Sequence, residues 1–271
     1  MQKTNLFTCL AIVFIITGMI ACGPAKEQEA ETQDTETEQE VKEETASITI
    51  SKVTDSPAYE EASLSMTEPT DEGNIAAGEV SFNFNVENYE LGAQTPDAET
   101  KGLANSGKGQ HIHLIINNGP YSAHYEPSFT KSLEEGSHVV LAFLSRSYHE
   151  SVKNANAFAV QKVTVGEETA VSDADLSAPH MFYSRPKGTY EGDDTKKLLL
   201  DFYLVNTTLS PDGNKVRATI NGTEFMIDEW APHQIEGLPL GEVTVKLELI
   251  DANGELIASP FNPVERTVTL K

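Results

Sequence analysis

Two histidines separated by one residue form the part of this chain best suited to chemistry. They are His111 and His113 in the run HIHLII, where they alternate with Ile112, Leu114 and Ile116. Side chains of a β-strand point alternately to its two faces, so the apolar set is expected to face a core and both imidazoles to share the opposite face. Imidazole nitrogens bind zinc and copper, so this shared face is a candidate metal site.

A third histidine is expected beside this pair, across a β-hairpin. The residues NNGP that follow the strand are typical of a turn. If Ile116 pairs with Tyr121, His113 lies opposite His124 and the apolar residues match on the other face. Opposed residues have Cβ atoms about 4.5–5.5 Å apart, close enough for two imidazoles to share an ion. The predicted copper or zinc ligands are therefore His111, His113 and His124, with His138 as a further candidate.

The second half of the chain offers an internal comparison for these histidines. Lys215 and Arg217 stand at the positions equivalent to His111 and His113, and the same register predicts a salt bridge between Arg217 and Asp228. The histidines are therefore either a site acquired by one half or polar residues on a solvated face. As ligands they would lose metal below about pH 6, where ordinary imidazole is protonated.

Two arginines form a second, weaker candidate site. Arg146 and Arg185 each follow a serine at the end of a strand-like run, and together they are predicted to form a small anion pocket; salt bridges to the many acids are the alternative. The chain has no Gly-x-Ser-x-Gly elbow, and no pair of carboxylates stands out as acid and base. We therefore predict a protein that is not an enzyme, with an uncharacterised hydrolase as the competing hypothesis.

Short alternating strands must position these residues. Apolar residues alternate or run together, with Gly, Pro and Asn between the runs, and the chain has no long stretch of helical periodicity. The strand-like runs are 80–86, 112–116, 139–144, 198–205, 216–220 and 243–250. Each half contains a strand, an Asn-Gly turn, a second strand, a Leu-x-x-Gly turn and a third strand. The pattern predicts an all-β fold of two tandem immunoglobulin-like β-sandwich domains, 47–168 and 175–271, and one large sandwich is the alternative.

The N-terminus predicts where the protein is found. Lys3 precedes an apolar run from Leu6 to Ala21, which ends at Cys22. This order is that of a secretory signal, and MIAC resembles a bacterial lipobox. The sequence predicts a signal peptide at 1–21 and a lipidated Cys22, the alternatives being an ordinary cleaved signal and a spanning helix. The apolar run is short for a span, which needs about 20 apolar residues.

An acidic segment separates Cys22 from the strands. Residues 26–46 carry nine acids and two lysines, too little apolar surface to fold, so 22–46 is predicted to be a disordered stalk. The net charge of −23 includes +1 from 1–25 and −7 from 26–46, which leaves −17 for 47–271. A body this acidic is repelled by phosphate backbones, so nucleic acid is excluded as an expected partner.

Longer stretches resemble a known group of proteins. GQHIHLIINN, PYSAHYEP, EEGSHVVLAFLSRSYHES and SPDGNKVRATINGTEF look like exported lipoproteins of Bacteroidetes often labelled phosphopeptide-binding. The first half is more distantly similar to a histidine-rich bacterial domain of unknown function, matched by His111, His113, His124 and His138. The resemblance implies a lipoprotein anchored to the outer membrane, facing the periplasm or the cell exterior. We therefore expect a tethered binding or accessory protein, with a metal or a protein, phosphopeptide or glycan of the envelope as its ligand.

Overall fold

The computed structural model describes residues 47–70, 75–166 and 174–271. The predicted signal peptide, Cys22 and the acidic stalk lie outside these residues. Strands dominate the described part, and its two helical segments, α1 (Ala98–Lys101) and a 3₁₀ helix (Gly192–Thr195), have four residues each. No helix of the described part is long and apolar enough to cross a membrane. The all-β fold class is thus confirmed.

The first half is a sandwich of a three-stranded and a four-stranded sheet, with strand orders β2-β3-β6 and β5-β4-β7-β8. The alternation of β3 shows why it forms: Val80, Phe82 and Phe84 are buried, while Ser81 is exposed. The first core lies between the sheets and includes Phe82, Ile112, Leu114 and Leu144. Its strands are β2 (Ser63–Glu68), β3 (Gly78–Glu87), β4 (His111–Ile116), β5 (Ser122–His124), β6 (Ser128–Leu133), β7 (Gly136–Ser145) and β8 (Phe158–Val165).

The second half is a sandwich of a four-stranded and a five-stranded sheet, ordered β1-β14-β11-β9 and β10-β16-β15-β12-β13. A second core fills it and includes Leu198, Phe202, Val245 and Leu247. Its strands are β1 (Thr49–Lys52), β9 (His180–Arg185), β10 (Thr189–Tyr190), β11 (Lys197–Val205), β12 (Lys215–Ile220), β13 (Thr223–Ile227), β14 (His233–Glu236), β15 (Gly241–Ile250) and β16 (Val264–Leu270).

The two halves repeat one strand order. The sheets β2-β3-β6 and β5-β4-β7-β8 of the first half correspond to β9-β11-β14 and β13-β12-β15-β16 of the second. Counted along the chain, the first and second of the seven corresponding strands lie in one sheet and the third and fourth in the other. The fifth returns to the first sheet, and the sixth and seventh lie in the second. This is an immunoglobulin-like arrangement, so the tandem fold is confirmed. One assignment differs: β1 falls within 47–168 but pairs with β14, because Ile48 and Ile50 pack on the second core.

The two sandwiches meet at a third core, here called the seam. Strand β7 is apolar on both faces: Val140 and Leu144 enter the first core, whereas Leu141 and Phe143 enter the seam. The opposing side chains come from β9 and β11, and Phe143 stacks on Tyr203 with ring centroids 4.8 Å apart. Residues Thr45–Lys271 accordingly form one compact unit. The face of β4 opposite the first core is therefore covered by protein and not by solvent.

A buried ion pair also links the two halves. Asp201 of β11 has no exposed surface, and its carboxylate accepts hydrogen bonds from the backbone N–H (3.2 Å) and the hydroxyl (3.1 Å) of Ser151. Lys153 donates to the same carboxylate. These contacts attach the β7–β8 loop of the first sandwich to β11 of the second, because buried charges require such partners.

Candidate metal centre

Strand β4 directs two histidines into the seam. Ile112 and Leu114 are buried in the first core, and His111 and His113 are on the opposite face, as the alternation predicts. Both imidazoles are fully buried, at 0% exposure. The seam aromatics explain this burial: Tyr121 stacks on His113 with ring centroids 3.6 Å apart, and Phe143 packs edge-on at 5.2 Å. The expectation of a solvated face is therefore wrong.

The third nitrogen comes from His149, in the loop after β7. Nε2 of His111 lies 2.9 Å from Nε2 of His113 and 3.1 Å from Nδ1 of His149. His111, His113 and His149 are here called the His triad; one ring nitrogen of each lies within 4.8 Å of the others. His149 has φ of +70° and is partly exposed. The sequence contains His149 close to β7, but its spacing did not place it beside the pair.

A backbone carbonyl fixes the tautomer of His111. Its Nδ1 lies 2.8 Å from the carbonyl oxygen of Gly109, so Nδ1 carries the proton and donates it there. Nε2 then has a lone pair directed at the other two rings. Gly109 has φ of +87°, and a Cβ atom there would lie 2.3 Å from the carbonyl oxygen of Gly92. The turn that positions this carbonyl therefore requires glycine.

Two of the three nitrogens compete for one lone pair, although Nδ1 of His149 also lies 3.3 Å from the Tyr121 hydroxyl, which can donate to it. The single lone pair on Nε2 of His111 faces both Nε2 of His113 and Nδ1 of His149, and it can accept a proton from only one of them. A second N–H would compete for the same lone pair, and a second lone pair would repel it. A cation between the rings interacts favourably with all three lone pairs. The Gly109 carbonyl then has the role that outer-shell acceptors have around metal-bound histidine.

Burial keeps the triad neutral. It lowers the pKa of His111 to about 4, against an opposing effect of the Gly109 hydrogen bond and with a smaller further decrease from the charge of Arg185. Burial also places the pKa values of His113 and His149 well below the ordinary range. Neutral imidazole is the form that binds metals, so the three rings are ready to bind at pH 7. Protonation of His111, expected near pH 6, moves to about pH 4.

His124 does not join the triad. It pairs with Ile112, and His113 pairs with Ala123, one residue away from the predicted register. The cause is a tight turn: Asn117 and Asn118 have φ of +51° and +52°, so the loop is shorter than the four residues predicted. A slip of one residue moves a side chain to the other face.

On that other face His124 has aromatic and hydroxyl neighbours. It stacks on Phe129, with centroids 3.3 Å apart, and bonds to Ser122 at 2.8 Å. In the second half the pairing lies two residues from the predicted register: Arg217 pairs with Met226, and its guanidinium bonds to Glu248 at 2.9 Å and not to Asp228. The predicted salt bridge therefore has a different acid.

Two more candidate residues lie outside the triad. His138, at the start of β7, bonds to Asn117 at 3.1 Å and to the carbonyl of Glu134 at 2.9 Å. Arg146 is buried in an ion pair with Glu150 (2.9 Å) and donates to the carbonyl of Ser151 (2.9 Å). Arg146 therefore has the salt bridge expected as the alternative to anion binding.

Arg185 has a different environment from Arg146. It is buried at 7% exposure and donates from Nη1 to the hydroxyl of Tyr190 at 2.9 Å. Its guanidinium carbon lies 5.4 Å from the ring centroid of Tyr121, the residue that stacks on His113. Its positive charge helps to lower the pKa of each triad histidine, after the larger effect of burial. Arg185 is therefore a neighbour of the candidate metal centre.

Comparisons with known proteins yield similar folds only. No family model and no curated sequence match the chain. Among solved structures, fibronectin(III)-like modules of CbhA from Clostridium thermocellum are 12% identical, covering 77% of this chain and 94% of theirs with a TM-score of 0.27. Carbohydrate-binding modules of the β-sandwich superfamily are 12% identical, covering 80% and 86% with a TM-score of 0.26. SGBP-B of a Bacteroides ovatus mixed-linkage glucan locus, solved with a heptasaccharide, is 13% identical, covering 77% and 70% with a TM-score of 0.21.

Proposed function

We propose that this protein is a tethered, non-enzymatic lipoprotein of the cell envelope that binds a divalent transition metal ion through the His triad. The observation that carries the proposal is the convergence of three neutral ring nitrogens, two of them on fully buried histidines and one on the partly exposed His149; the Gly109 carbonyl fixes the tautomer of His111. Converging lone pairs of neutral imidazoles form a ligand set for a divalent cation, which interacts favourably with all of them.

The dimensions and ligand type favour zinc or copper. Zinc–nitrogen bonds of about 2.0–2.1 Å in a tetrahedral site place ligand nitrogens roughly 3.3 Å apart. The contacts of 2.9 and 3.1 Å from His111 Nε2 are slightly shorter, so small outward shifts of the rings admit the ion. Three imidazoles without a carboxylate suit zinc or copper better than magnesium or calcium. Three protein ligands leave a fourth position on the ion for another group.

The decisive experiment is a calorimetric titration with zinc, copper and nickel at pH 7. We expect micromolar or tighter binding of zinc or copper, weakened at least about 100-fold in His113→Ala and His149→Ala. His124→Ala is the matched control, because His124 is on the neighbouring strand and has a comparably lowered pKa but contacts Phe129 instead. Metal binding that survives His113→Ala, or that fails equally in His124→Ala, would contradict the proposal. Absence of binding would leave the triad as a hydrogen-bonded structural cluster.

The tether is a separate part of the proposal. It rests on the order of Lys3, the apolar run and Cys22 in the sequence. Mass spectrometry of the protein from the membrane fraction should find Cys22 as the acylated N-terminus, and Cys22→Ser should release the protein from that fraction. Recovery of an unmodified N-terminus at another residue would contradict it.

A further inference from the structure

Three positively charged residues gather beside the seam. Arg185 follows Ser184 at the end of β9, Lys187 lies two residues on, and Arg266 belongs to β16. They are here called the basic cluster. The charges of Arg185 and Arg266 both contribute to lowering the pKa of Lys187, after the larger effect of burial, so the three groups are within electrostatic range of one another. Lys131 also contributes to this lowering of the Lys187 pKa.

The basic cluster contains buried hydrogen-bond donors without acceptors. Nε of Arg185, Nη1 of Arg266 and the hydroxyl of Tyr183 are each buried, and none has a hydrogen-bond partner among the described residues. The guanidinium carbon of Arg266 lies 4.6 Å from the ring centroid of Tyr183, and the charges of Arg266 and Arg185 both oppose the rise in the Tyr183 pKa that burial causes. Buried N–H and O–H groups are rarely left unpaired, so their coincidence at one place indicates a ligand that accepts hydrogen bonds.

No carboxylate neutralises this cluster. Within the described ranges, Arg185, Lys187 and Arg266 form no ion pair, although acids outnumber basic residues 42 to 19 in the chain. Asp201 is opposite Arg185 in the strand register, but its carboxylate bonds to Ser151 and Lys153. In a protein with so many carboxylates, three basic residues without an ion pair indicate that their partner is an anion from outside the chain.

We propose that the basic cluster binds an oxyanion, the carboxylate or phosphate group of a small molecule or peptide. Nε–H of Arg185, Nη1–H of Arg266 and the Tyr183 hydroxyl supply hydrogen bonds to its oxygens, and Lys187 supplies charge. Guanidinium groups suit this chemistry because their fixed N–H groups match the geometry of carboxylates and phosphates. The contacts that hold the cations in place stay intact: Arg266 donates to the carbonyl of Asn118 at 2.7 Å, and Lys187 to that of Tyr121 at 2.8 Å.

One residue, Tyr121, contacts both the basic cluster and the His triad. Tyr121 stacks on His113, and the Nζ of Lys187 lies 4.3 Å from the same ring centroid. The anion site does not depend on a bound metal, because its donors are distinct from the triad nitrogens. A triad variant such as His113→Ala is therefore expected to keep anion binding, and a basic-cluster variant to keep three intact histidines.

The test is a calorimetric titration of metal-free protein with inorganic phosphate and, separately, with acetate, at low ionic strength. We expect millimolar or tighter binding of at least one anion, weakened about tenfold or more in Arg185→Gln and in Arg266→Gln. Arg217→Gln is the matched control, since the guanidinium of Arg217 is already paired with Glu248. Stronger binding of phosphate assigns a phosphate-bearing ligand, and stronger binding of acetate assigns a carboxylate.

Two outcomes would overturn the inference. One is no binding of either anion by a correctly folded protein, which would leave buried waters as the partners of the unpaired donors. The other is binding that Arg185→Gln and Arg266→Gln leave unchanged. Lys187→Gln provides a second route if the arginine variants fail to fold, because Lys187 is only half-buried; unchanged binding in that variant would also count against the site.

Discussion

The metal-free protein should lose stability as the pH falls from 7 to 5, and His111 should account for about 2 kcal/mol of that loss. In the unfolded chain this ring takes up a proton near its ordinary pKa of about 6.5, whereas in the folded protein burial lowers the pKa to about 4. Between these values the unfolded state binds more protons, so acid favours unfolding. The contribution of the neutral ring is thus present above pH 6.5 and lost as the pH falls toward 4.

The magnitude follows from the two pKa values. At pH 5 the folded ring is mostly neutral while the unfolded ring is about 97% protonated, a difference of about 2 kcal/mol in the free energy of unfolding. At pH 7 the difference is only a few tenths of a kcal/mol. His113 and His149 shift in the same direction and add to the loss.

Urea unfolding at pH 7 and pH 5 measures this effect, with His111→Gln as the comparison. The variant should lose about 2 kcal/mol less than the parent protein over this interval, whatever its stability at pH 7. Saturating zinc should offset the loss in the parent, because a ligand of the folded state stabilises it by mass action. Equal losses in the parent and the variant would refute the view that His111 is a buried neutral base.

Two further substitutions test how the seam is built. Gly109→Ala should destabilise the protein and weaken metal binding, because a Cβ there meets a backbone oxygen at 2.3 Å; Gly107→Ala, where no atom lies within 4 Å, should change neither, as urea unfolding and calorimetry would show. Asp201→Ala should cost about 3–5 kcal/mol, because it leaves Lys153 without its buried partner. Lys52→Ala removes an exposed ion pair and should cost less than about 1 kcal/mol, so equal losses would contradict this reasoning.

The sequence predicts the faces of the strands better than their registers. Alternation correctly directs Ile112 and Leu114 to a core and His111 and His113 away from it, because side-chain period depends only on the strand itself. The register depends on the turn. Asn117 and Asn118 have positive φ angles, which shorten the loop, and the composition of the turn did not reveal this. Matching apolar side chains on one face favoured the wrong pairing, since the observed register places His124 opposite Ile112 and Ser122 opposite Leu114.

Local sequence pattern could not predict that the histidines are buried, nor that His149 is the third member of the His triad. His149 lies 38 residues from His111, in a loop whose course is set by contacts between the β7–β8 loop and other segments. Those contacts include the hydrogen bond from Nε of Arg146 to the carbonyl of Pro57 and the bonds of Ser151 to Asp201. Such long-range contacts leave no periodic signal, so spacing in the sequence did not place His149 beside β4.

The same strand position in the two halves shows what the seam contributes. His113 is paired with Phe143 across β4 and β7, and Arg217 is paired with Glu248 at the equivalent place across β12 and β15. Arg217 is partly exposed, and its charge is balanced by Glu248, which also accepts a hydrogen bond from Lys246 at 2.8 Å. His113 is on a face covered by the other sandwich, where a charge is costly and a neutral imidazole is favoured. Packing one repeat against the other thus covers a polar face of β4 and buries His111 and His113 as candidate nitrogen ligands.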